Sequence, residues 1–145
     1  RKKQISLLMC DMDYFKQVND KFGHDVGDNV LKDTSHILKK CIRDSDIVIR
    51  FGGEEFLILL IDTEVGYGLT VAEKIRAAVE EFNFKTNDGI LKKTISIGIS
   101  DFPHDTDGFW QAIKFADVAL YKAKENGRNR CVQFNKDLWD QKVSF

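Results

Sequence analysis

Two acidic pairs are the residues of this chain best suited to chemistry. Asp11 and Asp13 close an apolar run over residues 5–10. Glu54 and Glu55 follow two glycines within Arg50-Phe51-Gly52-Gly53-Glu54-Glu55-Phe56. Carboxylates gathered in one place repel one another unless a cation lies between them. Mg²⁺, or Mn²⁺ in its place, takes oxygen ligands and often shares them with substrate phosphates. Glycine beside the acids admits a ligand close to the main chain. The chemistry foreseen is metal-assisted work on a phosphate. Taken alone, residues 52–55 are equally well read as a hairpin with a solvated acidic tip.

The flanking residues say how the acids would meet. Residues 47–49 and 56–61 are apolar runs that read as buried strands, with Gly52-Gly53 as the tight turn between them. Side chains alternate along a strand, so Asp11 and Asp13 are expected on one face and Met12 on the other. If this first strand pairs beside the hairpin, Asp11 converges with Glu54 or Glu55. Residues 15–22 predict a short helix stopped by Gly23. Residues 26–42 predict a second, with apolar residues at helical spacing. Strands are expected over 46–51 and 54–61. Thr63 is the expected N-cap of a third helix, whose apolar face runs from Leu69 to Phe82. Asn87-Asp88-Gly89 is a turn. Residues 94–100 alternate as a strand, and 103–107 form a polar loop. A helix over 110–125 and a strand over 130–134 complete the chain. The order βααββαβαβ predicts an α+β fold, with a mainly antiparallel central sheet of about five strands flanked by helices.

Bulk properties narrow the classes. The 145 residues suit one domain, spanning 1–145, with a sizeable core. A net charge of −1 gives no global field for nucleic acid, so no nucleic-acid partner is expected. Substrate phosphate must be met by local cations and metal. Cys10, Cys41 and Cys131 are an odd, scattered set, unlike a disulfide framework or a zinc site. Cys10 reads as a buried thiol in a reducing compartment. His24, His36 and His104 show no ligand spacing. The longest apolar run, residues 56–61, is too short to cross a bilayer, and nothing resembles a signal peptide. A cytoplasmic location is expected. Attachment to a membrane or a response-regulator module in a longer protein stays open.

Three blocks carry a resemblance. Residues 11–28, Asp-Met-Asp-Tyr-Phe-Lys-Gln-Val-Asn-Asp-Lys-Phe-Gly-His-Asp-Val-Gly-Asp, resemble the opening block of the GGDEF diguanylate cyclases. Residues 50–56 are similar to the motif that names the family, in its Gly-Gly-Glu-Glu-Phe form. Residues 116–124, with Gly127-Arg128-Asn129, resemble the closing block. The blocks stand in family order and spacing, from Ile5 to about Phe134. The resemblance implies a palm-like nucleotide-cyclase fold. It implies condensation of two GTP into cyclic di-GMP and two pyrophosphates, by a homodimer with facing sites.

The same resemblance implies roles for particular residues. Asp11, Glu54 and the carbonyl of Met12 correspond to Mg²⁺ ligands. Glu55 is a further ligand or the group that helps deprotonate the attacking hydroxyl. Adjacent strand residues point to opposite faces, so Glu54 and Glu55 cannot both aim at one ion without distortion. Asn19 and Asp28 map to guanine contacts. A carboxylate matches the N1–H and N2–H₂ donors, and an amide both donates and accepts. Capping and turn chemistry use the same residue types. Lys16, Lys124 and Arg128 map to phosphate contacts. Lys124 and Arg128 share a helix face if the helix continues that far. His24 is expected near the phosphates or bracing their loop. Gly52 and Gly53 would admit the phosphates to the backbone, or simply make the turn.

Arg43 and Asp46 have the Arg-x-x-Asp spacing of the family's inhibitory site for cyclic di-GMP. Arg76 is the candidate second arginine. A surface ion pair is the plainer reading of Arg43 and Asp46. Arg1-Lys2-Lys3-Gln4 leads almost at once into the first strand, whereas the resemblance implies a helical segment and a sensory domain upstream. The chain therefore reads as an excised catalytic domain. One rival is a silent GGDEF domain that binds GTP or cyclic di-GMP without catalysis; its expected mark, loss of the acids or glycines, is absent. A more distant rival is another palm-type nucleotidyl transferase.

Overall fold

The structure is a computed structural model and describes residues 4–143; the abrupt start at Arg1-Lys2-Lys3, and residues 144–145 of the expected domain span, lie outside the described residues. In chain order the elements are β1 (Ile5–Met12), α1 (Phe15–Phe22), α2 (His24–Lys40), β2 (Ile47–Arg50), β3 (Glu55–Ile61), α3 (Tyr67–Glu81), β4 (Phe84–Thr86), β5 (Gly89–Leu91), β6 (Ile95–Phe102), α4 (Phe109–Glu125), β7 (Cys131–Gln133) and α5 (Lys136–Val143). The central sheet has five strands in the order β2-β3-β1-β6-β7. All its pairings are antiparallel except β6 with β7.

Alternation along β1 sorts the two layers of core. Leu8 and Cys10 face α2 and α3, together with Ile58, Leu60, Ile97 and Ile99. Leu7 and Met9 face α4, where they meet Leu57, Ala116 and Leu120. Each fully buried aliphatic side chain of this kind contributes about 1.5–3 kcal/mol. Gly98 lies on the α4 side of β6. A Cβ there would run into the backbone of Ala116 and Leu120. Glycine thus lets α4 pack directly on the sheet, which sets how far the end of α4 reaches.

Several expectations are corrected. Thr63 caps no helix: α3 starts at Tyr67 behind Gly66, and Thr63 instead shares a 3.0 Å hydrogen bond with Ser6. The turn at 87–89 joins a small extra hairpin, β4–β5. α5 was not foreseen. The glycines of the 52–53 turn do not take positive φ, unlike Gly23, Gly66, Gly89 and Gly127. The connection is therefore not the two-residue hairpin of mirror-image type, and conformation alone does not call for glycine there.

Candidate active site

β1 lies between β3 and β6, and its register sets Asp11 directly across from Glu55. Asp11 continues the face that carries Leu7 and Met9, so it looks toward α4. Lys124, in the last turn of α4, donates to Asp11 Oδ2. The other oxygen, Oδ1, is buried and has no hydrogen-bond partner. Burial pushes the Asp11 carboxyl above its ordinary value. The Lys124 hydrogen bond and charge pull it down without cancelling that rise, and Asp13 adds to it.

Glu54 stands in the turn before β3. It shares a cavity of about 170 Å³ with Asp11, Met12, Lys16, Lys124 and Arg128. Burial raises the Glu54 carboxyl and repulsion from Asp11 raises it further. Glu55 does not line this cavity. Its carboxyl is raised by burial first, then by Asp11 and Asp117, so it lies on the α4 side of the sheet. The two glutamates are thus divided where the turn gives way to β3.

Asp13 keeps the face expected for it beside Asp11: it bonds Ser96, which the register sets opposite Asp11, and it lines the same small cavity. It falls just beyond β1 and is buried. Its carboxylate accepts Thr94 Oγ1 at 2.6 Å, Ser96 Oγ at 2.7 Å and the Asn129 N–H at 3.0 Å. These bonds fix that carboxylate at the edge of the cavity. Tyr14, next in sequence, takes a left-handed conformation (φ 55) that turns β1 into α1. No side chain caps that start; Gln17 N–H turns back to the Tyr14 carbonyl at 3.1 Å, and the amides before it are left for an anion.

A second cavity, of about 330 Å³, lies between α1, α2 and the turn. Asn19, Asp28, Lys16, Arg50, Gly53 and Glu54 line it. Lys16 and Glu54 belong to both cavities. Asn19 caps no helix with its side chain. Its amide oxygen is buried and unpartnered. Arg50 has a structural role that its sequence motif does not declare. Its guanidinium donates to the Gly53 carbonyl through Nη2 at 2.6 Å and Nε at 3.2 Å, bracing the turn. A Cβ at residue 53 would meet nothing within 4 Å, so that side of the turn is open. At residue 52 it would approach Glu55 Oε1 at 3.0 Å.

Lys124 and Arg128 do not share a helix face. α4 stops at Glu125, and Gly127, Arg128 and Asn129 follow with φ of 122, 64 and 49. That reversal still brings Arg128 to the smaller cavity, with its guanidinium 4.7 Å from the Tyr14 ring centroid. His24 is exposed at the start of α2 and lines neither cavity.

Among the described residues, no three His, Cys, Asp or Glu side chains converge as a metal cage. Two carboxylates and a backbone carbonyl are nevertheless what Mg²⁺ takes when phosphates and water complete its shell. The unpartnered oxygen of Asp11, with Glu54 on the same cavity, fits a hard cation.

Comparison with known proteins accords with this geometry. The family profile described as "Diguanylate cyclase, GGDEF domain" matches residues 1–130. The chain is a GGDEF domain. Diguanylate cyclase A of Treponema denticola is 42% identical to it over 138 residues, which are 95% of this chain and 37% of that protein. The GGDEF domain therefore spans little more than a third of that curated relative. The GGDEF domain of TpbB (YfiN) from Pseudomonas aeruginosa superposes with a TM-score of 0.89 at 32% identity, covering 97% of this chain and 81% of that one. The active GGEEF domain of a diguanylate cyclase from Vibrio cholerae gives 0.85 at 37% identity, with 92% and 84% covered.

Arg43 and Asp46 lie apart from both GGDEF cavities. They border a third, of about 240 Å³, with Lys39, Ile42 and Val48. Asp46 accepts the Arg43 and Ile61 N–H groups, each at 2.9 Å, and pairs with the Arg43 guanidinium at 3.3 Å. Its side chain is only 2% exposed, so it fastens the start of β2 to the end of β3. Burial pushes its carboxyl up, but these hydrogen bonds and the guanidinium more than offset that, leaving it below its ordinary value. Arg76 does not join Arg43. Its guanidinium is engaged by Glu73, Glu80 and Asn129. Of the α3 cations, Lys74 reaches this end of α2: burial raises the Cys41 thiol and the Lys74 charge partly offsets it. Among the described residues no helix is long and apolar enough to cross a membrane.

Proposed function

We propose that this domain is a Mg²⁺-dependent diguanylate cyclase that joins two GTP into cyclic di-GMP and releases two pyrophosphates. One observation carries the reading. The unpartnered oxygen of Asp11 borders a phosphate-sized cavity with Glu54, and that cavity adjoins another bearing the unpartnered amide oxygen of Asn19 beside Asp28.

Asn19 and Asp28 bind guanine, the carboxylate meeting its donors and the amide completing the edge. Lys16, Lys124, Arg128 and the uncapped start of α1 gather the triphosphate. Gly52 and Gly53 leave the turn open to it. Asp11, Glu54 and the Met12 carbonyl would hold the metal. When bound, Mg²⁺ neutralises phosphate charge and makes a nearby hydroxyl more acidic. Glu55 takes the proton from the attacking 3′-hydroxyl. That oxygen bonds to the α-phosphorus of the facing GTP, and the bond to pyrophosphate breaks. The second hydroxyl repeats the step and closes the ring. Each domain holds one nucleotide, so two domains must face each other about a two-fold axis.

The proposal extends to feedback and context. Cyclic di-GMP binds at Arg43 and Asp46, on a face separate from the substrate cavities, and slows the enzyme. The domain functions as a single unit in the cytoplasm, beneath an upstream sensory domain, a reading supported by the greater length of its relatives. The silent-domain alternative is not favoured, because both glycines and both glutamates are present. Incubating the purified domain with GTP and Mg²⁺, with products identified by mass spectrometry, tests the reading. Cyclic di-GMP is expected; recovery of bound GTP alone would favour the silent domain, and an internally cyclised mononucleotide would overturn the two-substrate reaction.

A further inference from the structure

We infer that α3 anchors Arg128: Arg76 and Glu80 clamp the amide of Asn129, and the clamp holds the left-handed turn from which Arg128 reaches the phosphate cavity. The inference rests on the proposed contact between Arg128 and substrate phosphate.

Arg128 and Asn129 are consecutive residues with φ of 64 and 49. Each is disfavoured for an L side chain, and such a pair persists only where its surroundings over-determine it. Asn129 is held on three sides. Its amide oxygen accepts Arg76 Nη1 at 3.0 Å. Its amide nitrogen donates to Glu80 Oε2 at 2.7 Å. Its backbone N–H donates to Asp13, which Thr94 and Ser96 fix in turn.

The α3 side of this arrangement is itself braced. Arg76 pairs with Glu80 at 3.0 Å and with Glu73 at 3.1 Å. Pairs at this spacing on a helix surface ordinarily add little. Here the Arg76 side chain is only 20% exposed, and its guanidinium also reaches across to Asn129, 53 residues on. Neither Arg76 nor Glu80 lines the substrate cavities. Their role is to position Arg128, not to touch the reacting atoms. Arg128 completes the arrangement by lying over the Tyr14 ring at the start of α1.

A double-mutant cycle tests the anchor. The probe is a GTP analogue with a methylene between the α and β phosphorus atoms, which cannot release pyrophosphate. Its affinity for the purified domain is measured by calorimetry with Mg²⁺. Arg76→Ala should weaken binding about fivefold to tenfold, within the range of coupling between residues of one network. In an Arg128→Ala background the same change should add nothing. Equal weakening in both backgrounds, or none in the parent, would overturn the anchor while leaving the Arg128 contact standing. Unchanged affinity in Arg128→Ala alone would overturn the contact, and the anchor with it. Should Arg76→Ala fail to fold, Asn129→Gly replaces it. Glycine suits the left-handed backbone but loses the clamp, so a comparable weakening is expected. Parent-like affinity in Asn129→Gly would show that backbone conformation alone places Arg128, and would refute the clamp.

Discussion

The side-chain oxygen of Asn19 lies where a Cβ on residue 27 would have to be. Gly27 is buried in the first half of α2, and α1 crosses it closely enough for the Asn19 amide to fill the gap. Gly27→Ala would push that amide aside. Alanine in a helix interior favours stability by about 1 kcal/mol over glycine, and forcing a methyl into a packed site costs about 1–3 kcal/mol. The balance is a net loss of about 0–2 kcal/mol, so the thermal midpoint should fall by no more than about 8 °C. The KM for GTP should rise roughly tenfold, as for loss of about 1.4 kcal/mol of binding. Steady-state kinetics beside a melting curve checks this; an unchanged KM would remove Asn19 from the base site.

Glu54 gives a second prediction, through linkage. Burial and the Asp11 charge raise its carboxyl. A raised acid favours folding below its unfolded pKa, and that benefit is lost as pH rises through the folded value. At neutral pH the ionised Glu54 therefore works against the metal-free fold. Glu54→Gln should raise the metal-free midpoint by roughly 1–3 °C, a small effect because Glu54 is partly solvated. It should also abolish turnover and flatten the rise in midpoint on adding Mg²⁺. A parent-like response of the midpoint to Mg²⁺ in this variant would argue against Glu54 holding the ion.

Much of this arrangement was legible in the chain, for physical reasons. The apolar runs before Asp11 and after Glu55 are long enough to declare buried strands. What escaped depends on short elements or on backbone geometry. The three-residue strands β4 and β5 carry too few residues for a period to show. Asp13 shares the face of Asp11 as alternation predicts, but its hydrogen-bond partners Thr94, Ser96 and Asn129 lie far along the chain, where no local pattern points to them. Lys124 and Arg128 looked helical at spacing four, yet Gly127 breaks the helix between them. Arg76 has the charge and the neighbouring helix that a second arginine needs, but neither says which neighbour a guanidinium meets.

Asp46 supplies a third prediction. Its carboxyl is lowered in the fold, so its stabilisation is fully present above the unfolded value of about 3.9 and is lost as pH falls through the lower folded value. Asp46→Asn keeps the shape but weakens the bonds from Arg43 and Ile61. It should destabilise the domain by about 1–3 kcal/mol, the range for a hydrogen-bonded charge. Urea titrations of both proteins should show a constant gap from about pH 5 to 8, narrowing below about pH 4. A gap independent of pH down to acid unfolding would mean that the charge is not what holds β2 to β3.

Base choice gives the last prediction. Guanine presents two adjacent donors where adenine presents an acceptor and an amine. The Asp28 carboxylate accepts only, so it matches guanine and leaves the adenine acceptor facing negative charge. Sites built around a buried hydrogen-bonding group can reject the wrong partner by 10⁴ or more, but Asp28 is exposed at the cavity rim and water can substitute there. The parent domain should therefore favour GTP over ATP by roughly 10²-fold or more in kcat/KM, with Asn19 contributing from its buried side. Asp28→Ser should cut that ratio at least about tenfold, mainly by weakening GTP, since a hydroxyl meets only one of the two donors. Competition between the two nucleotides, followed by separating the products, reads the ratio directly. Equal use of ATP and GTP by the parent, or a ratio untouched in Asp28→Ser, would mean that the base is read elsewhere.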